Sequence, residues 1–150
     1  MKLTKAMLVE WRACSEGVEW YGDADTTVQA TLARLSAEKK TDWAVWLIQR
    51  TLTHQELVEW VCWCAEQCLP NFEKAFPEDN RPRAAIAAAR KWANDPTDEN
   101  KSAAYSAADS AADSAYSAYS AARSAARSAA DSAAIDYAIS LISKRVEELK

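Results

Sequence analysis

Three of the chain's four cysteines lie close together in the segment Cys62–Cys68, and thiolates at such spacing can bind zinc. A structural zinc site usually needs four ligands, commonly in closely spaced pairs on turns. Here the cysteines fall on a predicted helix, on which only Cys64 and Cys68 share a face. The sole histidine, His54, lies about two helical turns upstream. We therefore expect no metal ion and interpret these cysteines, together with Cys14, as buried thiols that the cytosol keeps reduced.

The chain offers few residues for catalysis. A single histidine argues against a catalytic triad or a paired-histidine mechanism, and no glycine-rich phosphate loop, H-E-x-x-H pair or nucleophile elbow is present. Asp109 and Asp113 form an i, i+4 carboxylate pair, but alanines flank both, and the glutamate and histidine pattern of di-iron bundles is missing. We expect a non-enzymatic protein without a cofactor.

The most regular spacing belongs to a tetrapeptide repeat, S-A-A-x, that runs from Ser102 to Ala134. Its variable positions place an acidic arm and a basic arm on either side of two tyrosines. When two copies lie antiparallel and are centred near Ala118, the aspartates of one copy face the arginines of the other. An isologous twofold interface requires such self-complementarity. We expect an antiparallel homodimer across this face; the alternative is an exposed face whose charges serve solubility. The residues of this predicted interface are Asp109, Asp113, Tyr116, Tyr119, Arg123 and Arg127.

The serines of the repeat indicate that it is a structured helix. Nine serines follow each other at steps of four residues, except for two steps of three near the middle. At about 100° per residue, the two short steps cancel the drift of the others and keep all nine serines within an arc of roughly 120°. We predict one long helix that continues through Ile135, Ile139, Ile142 and Val146, with its alanine face packed closely on neighbouring helices and their tryptophans. A solvated Ala-rich rod is the alternative.

Five shorter helices are predicted before the long one, from apolar residues at three- and four-residue spacing. The fourth should begin at a capping box, Thr53–Glu56, carry Leu57, Trp60, Val61, Cys64 and Cys68 inward, and end near Pro70. Gly17 is a plausible stop for the first helix, Thr26 or Thr27 a cap for the second, and Asn80 a cap for the fifth. The predicted bounds are Leu3–Ser15, Val28–Leu35, Asp42–Arg50, His54–Leu69 and Arg81–Trp92.

Composition supports an all-α single domain of about six helices, with Trp-rich helices over residues 1–94 and the long Ala/Ser-rich helix over 97–150. Two glycines and four prolines leave little turn chemistry for an all-β fold. A net charge of −4 with seven tryptophans argues against disorder, and a pI near 5.1 argues against nucleic acid or an anionic membrane as partner. No stretch suits a transmembrane helix or a signal peptide, so we expect a cytoplasmic protein.

Four further segments stand out before the Ala-rich helix: Ala13–Trp20, Asp42–Arg50, Cys62–Pro70 and Glu78–Trp92, the last with a D-x-R-P-x-x-A-I core, Asp79–Ile86. In this order, and followed by an Ala-rich helix, they resemble the immunity protein Imm-5 family. The resemblance implies an all-helical inhibitor that neutralises a cognate toxin of a bacterial polymorphic toxin system by binding it. The serine-rich regularity of the C-terminal region departs from the family's more varied Ala-rich sequence.

Asp79, Arg81 and Arg83 of that core, with Tyr105, are candidate contacts for a partner or ligand. For Asp79 and Arg81, a structural clamp at the start of the fifth helix is the competing interpretation. An alternative function is a phage-type counter-defence protein that sequesters a small nucleotide signal where the helices of a dimer meet. A third alternative is a purely structural helical oligomerisation module.

Overall fold

A computed structural model of the protein describes residues 1–122 and 127–149, with side chains described for 1–111 and 133–149. Within these ranges the chain forms eight helices and one two-stranded sheet, so the predicted all-α class is confirmed. The chain divides into two compact units: unit 1 consists of Met1–Leu52 and Asp131–Lys150, and unit 2 of Thr53–Ala130. In chain order the elements are β1 (Lys2–Leu3), α1 (Lys5–Glu10), α2 (Ser15–Tyr21), β2 (Thr26–Thr27), α3 (Val28–Ala37), α4 (Thr41–Thr51), α5 (His54–Ala75), α6 (Arg81–Asn94), α7 (Asp98–Ala122) and α8 (Arg127–Glu148).

The N-terminus of unit 1 differs from the single helix predicted over Leu3–Ser15. Lys2 and Leu3 pair antiparallel with Thr27 and Thr26, and the Tyr21 hydroxyl donates to the Leu3 carbonyl at 2.6 Å. Thr4 then caps α1, accepting from the Met7 amide at 3.2 Å. The prediction was wrong because long-range strand pairing overrides local helix periodicity at Leu3.

Gly17 is not a helix stop either, since it lies inside α2. The interruption comes earlier, at Arg12, whose φ of 61° places it in the left-handed region and separates α1 from α2. The predicted cap of α3 is confirmed, because the Thr27 hydroxyl accepts from the Ala30 amide at 3.1 Å. Between α3 and α4, Lys39 is also left-handed, with a φ of 56°.

Branched aliphatic side chains form the core of unit 1. The Arg145 guanidinium of α8 donates to the Thr51 carbonyl at 2.9 Å, which satisfies a backbone acceptor at the C-terminal end of α4. Ala138 lies on the buried face of α8 together with two isoleucines. The largest fully buried side chains are Leu3, Val28, Leu32, Ile48, Ile135 and Ile142.

In unit 2, α5 begins at the predicted capping box. The Thr53 hydroxyl accepts from the Glu56 amide at 3.3 Å, and the Glu56 carboxylate accepts from the Thr53 amide at 2.7 Å. The helix does not end near Pro70 as predicted but continues through it to Ala75. An interior proline costs roughly 3 kcal/mol in a helix, and here the burial of Leu69, the residue before it, favours continuation of the helix.

The inward face of α5 differs from the predicted one. Trp60 is buried as predicted, but Val61 and Cys68 are exposed, and Cys62 is buried instead. The side chains of α5 that bond to α6 follow a three- and four-residue spacing of their own, and most of them are polar. Apolar periodicity therefore could not identify this stripe, which consists of Gln55, Glu59, Cys62, Glu66 and Glu73.

Helix α7 packs against α6 through small residues. The Thr97 hydroxyl accepts from the Asn100 amide at 3.2 Å, and the buried Asn100 side chain donates to Asp95 in the turn between the helices. Ala104 is buried as the predicted alanine face requires, but Ala103 and Ala108 are exposed, as are the first three serines, so packing of the whole face stays a prediction. The facing helix is itself alanine-rich and contributes Trp92, whose ring lies 6.1 Å from Tyr105. Residues 123–126 lie outside the described part, so a single helix from α7 through α8 stays a prediction.

Candidate functional site

Unit 1 contains a cavity of about 330 Å³ with a largely apolar wall. We call it the tryptophan pocket, after the three half-buried tryptophans that line it, Trp20, Trp43 and Trp46. The volume lies at the lower end of the range typical of small-molecule sites. The remaining lining residues are Leu8, Arg12, Ala13, Cys14, Gly17, Tyr21, Thr31, Leu35, Asp42 and Leu47.

The spacing of residues on two helices brings the tryptophans to the pocket. Trp43 and Trp46 are three residues apart on α4 and therefore share one face of that helix, while Trp20 comes from the last turn of α2. The rings of Trp20 and Trp43 meet edge to face, with centroids 5.9 Å apart and an interplanar angle of 66°. Such a pairing is a preferred aromatic geometry, and it fixes one corner of the pocket.

A cation lies over each of the three tryptophan rings. The Arg34 guanidinium carbon is 3.9 Å from the centroid of Trp20, and the Lys40 Nζ is 4.4 Å from that of Trp43. Arg50 lies over Trp46 at 5.1 Å. Cation–π contacts at exposed sites contribute about 0.5–1 kcal/mol each. They hold the rings of the pocket in place before any ligand arrives.

Glu38 is hydrogen-bonded both to Trp20 and to the arginine that stacks on it. The indole Nε1 of Trp20 donates to one Glu38 carboxylate oxygen at 2.6 Å, and the Arg34 Nε donates to the other at 3.0 Å. These two hydrogen bonds lower the pKa of the Glu38 carboxyl below its usual value, and the bond from Trp20 has the larger effect. Glu38 is therefore ionised at neutral pH and orients both side chains.

Three polar side chains mark the wall of the pocket. Arg12 and Asp42 are exposed and line it from different segments, and Cys14 places an exposed thiol beside them. Neither the guanidinium of Arg12 nor the carboxylate of Asp42 makes a hydrogen bond or ion pair within residues 1–111 and 133–149. The arrangement suits binding of an apolar group with a polar end rather than bond-making chemistry.

Asp79 and Arg81, two of the predicted contact residues, form a clamp at the start of α6. The Asp79 carboxylate accepts from the Arg81 amide at 3.1 Å and from the Arg81 guanidinium at 2.9 and 2.7 Å. Asn80, the predicted cap, makes no side-chain capping bond. The structure thus shows the geometry of the structural clamp, while about half of the Arg81 side chain stays exposed.

Arg83 and Tyr105, the other two predicted contacts, belong to the same unit but to different clusters. Arg83 forms a bidentate pair with Glu73 of α5 at 2.8 and 2.9 Å, which raises the pKa of the guanidinium. Tyr105 is 57% exposed and packs on Trp92, whose other neighbour is the His54 ring at 5.0 Å. All four residues predicted to contact a partner are in unit 2, whereas the tryptophan pocket is in unit 1.

An ionic cluster centred on Arg90 was not predicted from the sequence. Its guanidinium donates to Glu59 at 2.9 and 3.0 Å and also to Glu66; its hydrogen bonds to both carboxylates, and chiefly the one to Glu66, raise its pKa. A signal was present, because Glu59, Glu66 and Glu73 are spaced seven apart, as are Arg83 and Arg90. Residues spaced seven apart lie on one face of a helix, so in an antiparallel helix hairpin the glutamates of one helix can pair with the arginines of the other.

The predicted dimer face is only partly described. Asp109 is exposed, and the side chains of Asp113, Tyr116, Tyr119 and Arg127 lie outside the described part, as does Arg123 entirely. The structure therefore leaves the self-complementary pairing as a prediction.

The cysteines form no cluster in the structure. Cys62 is buried and its thiol contacts the Ile86 carbonyl at 3.8 Å; burial raises its pKa and, chiefly for the same reason, that of Cys64. The prediction of buried thiols is wrong for Cys14 and Cys68, which are exposed. Over 1–122 and 127–149, no group of three or more potential metal ligands is found, and no helix there is long and apolar enough to cross a bilayer.

Two family models match the chain. Residues 47–145 match the family described as "Imm-5 like putative immunity protein", and residues 1–56 match the YdhT N-terminal domain. The immunity-family match covers all of unit 2. The segment Ala13–Trp20, which contributes to the resemblance seen in the sequence, lies outside that match and within the match to the YdhT N-terminal domain. No curated protein and no solved structure matches the chain significantly.

Proposed function

The chain belongs to the Imm-5 like immunity protein family, and from that premise we propose that it neutralises a cognate protein toxin by stoichiometric binding, without catalysis. The match over residues 47–145 is the observation that carries this proposal. Unit 2 supports it, because ion pairs between its helices hold a rigid hairpin of the kind that binds without losing much conformational entropy.

We place the toxin contact on the aromatic cluster of unit 2, formed by His54, Trp92 and Tyr105. Tyr and Trp are enriched among the residues that dominate binding energy at protein interfaces. Tyr105 already rests on Trp92 and is 57% exposed, so a partner can cover it at little cost in side-chain entropy. The exposed part of Arg81 offers a charged contact on the same unit.

Co-expression tests the proposal. The genes next to the gene for this chain are searched for toxin domains, and each one found is expressed in a bacterial host with and without the chain and purified together with it. We expect restored growth and a 1:1 complex by size-exclusion chromatography with light scattering. Growth arrest despite abundant folded chain, with no complex, would contradict immunity.

A matched pair of variants tests the contact surface. Tyr105→Ala should weaken toxin binding about tenfold or more. Phe76→Ala removes a different partly exposed aromatic ring from the same unit and should leave toxin affinity unchanged. Equal affinity of both variants would place the contact elsewhere.

Self-association through the repeat is a further part of the proposal. The support is the order of charges in the sequence, Asp109 and Asp113 against Arg123 and Arg127. Replacing both arginines by glutamate should dissociate the dimer. Mixing that variant with a second one, in which both aspartates are replaced by arginine, should restore association as a heterodimer. A wild-type monomer by light scattering at high micromolar concentration would contradict self-association.

The alternative function, sequestration of a nucleotide signal, needs a pocket where two copies of the repeat meet. Most side chains of that face lie outside the described part, and the tryptophan pocket is largely apolar, which suits phosphates poorly. Native mass spectrometry of protein purified from its own host distinguishes the two functions, because a co-purifying nucleotide mass would favour sequestration.

A further inference from the structure

The tryptophan pocket is a half-open, largely apolar depression of about 330 Å³ beside Leu8, Leu35 and Leu47. An apolar group that enters it is removed from water, which is favourable in proportion to the apolar area buried. Cavities of this size and lining are typical of small-molecule sites.

The charges around the pocket are mainly positive. Among the described residues, Arg12 and Asp42 line the pocket, three further cations stack on its tryptophans, and the Glu38 carboxylate bonds to Trp20. Glu38 is already engaged by Trp20 and Arg34. In a chain of net charge −4, this local excess of positive charge favours an anionic ligand. The four cations are Arg12, Arg34, Lys40 and Arg50.

Arg12 is the cation best placed to meet such a ligand. Arg34 and Lys40 are committed to tryptophan rings, while the guanidinium of Arg12 has no hydrogen-bond or ion-pair partner within the described residues. Its backbone is held at a φ of 61°, in the left-handed turn that ends α1, where the Ala13 amide donates to the Leu8 carbonyl at 2.9 Å.

We propose that the tryptophan pocket binds a small hydrophobic carboxylate, with an aromatic or aliphatic body against the tryptophans and the carboxylate on the Arg12 guanidinium. A guanidinium matches a carboxylate with two parallel N–H donors. The site goes beyond toxin binding, because most of its lining precedes residue 47, where the immunity-family match begins.

Three probes with one ring system and different head groups test the ligand class. Calorimetric titration of the full chain compares 2-naphthylacetate, 2-(2-naphthyl)ethanol and 2-(2-naphthyl)ethylamine. We expect the carboxylate to bind about fivefold more tightly than the alcohol, as a partly exposed charged hydrogen bond allows, and the amine to bind most weakly. Absence of binding by all three at 10 mM or below, equal affinities, or tightest binding of the amine would overturn the proposal.

Arg12→Gly tests the head-group contact and has a close control. It removes the guanidinium while allowing the left-handed backbone, so the fold is retained, and it should equalise carboxylate and alcohol affinities. Lys39→Gly also removes one cation from a left-handed position, but Lys39 does not line the pocket. The fivefold preference should survive in Lys39→Gly. If both variants lose it equally, general charge rather than Arg12 is responsible and the assignment of Arg12 is wrong.

Two further variants test the location. Ala13→Trp places a ring in the pocket and should abolish binding of the naphthyl carboxylate, with the far-ultraviolet circular dichroism unchanged. Asp42→Asn removes the unpaired carboxylate from the wall and should tighten carboxylate binding about twofold. Unchanged carboxylate affinity in a folded Ala13→Trp would place binding outside the pocket and overturn the proposal.

Discussion

The two units of this protein bury different kinds of side chain. All six of the largest fully buried side chains, among them Ile48 and Ile142, belong to unit 1. The described residues of unit 2 bury Trp60, Cys62, Leu69, Ala104 and a hydrogen-bonded asparagine, and its helices are joined by bidentate ion pairs. Unit 1 is therefore stabilised mainly by apolar burial, and unit 2 by close approach of small residues, helix caps and charge pairing.

The same comparison explains why the cavity lies where it does. A core of bulky aliphatics and tryptophans has irregular shapes to fill and can leave a pocket, as unit 1 does at Trp20, Trp43 and Trp46. Alanine stripes such as the one around Ala104 bring two helices together without such space. The proposed small-molecule site and the proposed toxin surface thus fall on units of different construction.

Truncating a core isoleucine should have the largest effect on stability. Ile142→Ala removes a fully buried side chain from unit 1 and should lower the free energy of unfolding by about 3 kcal/mol. Ile139→Ala, one turn earlier in α8 and only half-buried, should cost about 1 kcal/mol. Urea unfolding monitored by circular dichroism measures both. Equal losses would mean that apolar burial does not dominate unit 1.

Removing the central cation of unit 2 should come next. Arg90→Ala leaves Glu59 and Glu66 half-buried without their partner and should cost about 2 kcal/mol. Arg83→Ala breaks a more exposed pair with Glu73 and should cost clearly less. Replacing both glutamates by glutamine in the Arg90→Ala background should recover part of the loss. If Arg83→Ala costs as much as Arg90→Ala, the half-buried cluster has no special role.

Loss of the capping box should have an intermediate effect. Thr53→Ala removes the hydroxyl that accepts from the Glu56 amide and should cost about 1 kcal/mol. Asn80→Ala is the control, because Asn80 precedes α6 without a side-chain capping bond and should cost much less. Thermal unfolding of the two variants gives the comparison. A larger loss for Asn80→Ala would show that Asp79 does not replace it as the cap of α6.

The smallest effect is expected from the titration of Glu38. Its folded pKa lies below its unfolded value, so its contribution to stability is present above the unfolded pKa and disappears as the pH falls through the folded one. Trp20→Phe removes the indole donor and should raise the pKa of Glu38 towards its usual value. Trp43→Phe, which removes no hydrogen bond to Glu38, should leave it lowered. Carbon-detected nuclear magnetic resonance of the carboxyl group measures both, and an unchanged pKa in Trp20→Phe would contradict the assigned cause.

Sequence reasoning succeeded where the signal is local. The capping box at Thr53 and the Thr27 cap depend on residues within a few positions of each other, and both are confirmed. It failed where distant segments meet, at the β1–β2 pairing and at Pro70, because tertiary packing there outweighs local preference. The single-domain organisation and the dimer interface stay predictions.

The candidate sites divide in the same way. The Asp79–Arg81 clamp was open to prediction because its partners are two residues apart. The tryptophan pocket was not, because Trp20 and Trp43 come from different helices and only their packing makes a cavity. The Arg90 cluster lies between these cases: the seven-residue spacing of glutamates and arginines is visible in the sequence, but matching the two series requires the register of the hairpin.

By itself, then, the sequence determined the helical class, the caps at Thr27 and Thr53 and the resemblance to immunity proteins, because each depends on local spacing or on composition. Only the tertiary structure decided which face of α5 meets α6, which cysteines are buried and where a cavity opens. These outcomes depend on how side chains from distant segments fill shared space. The free energy that decides between alternative packings is a small difference between large terms, and it cannot be derived from residues that are neighbours in the sequence.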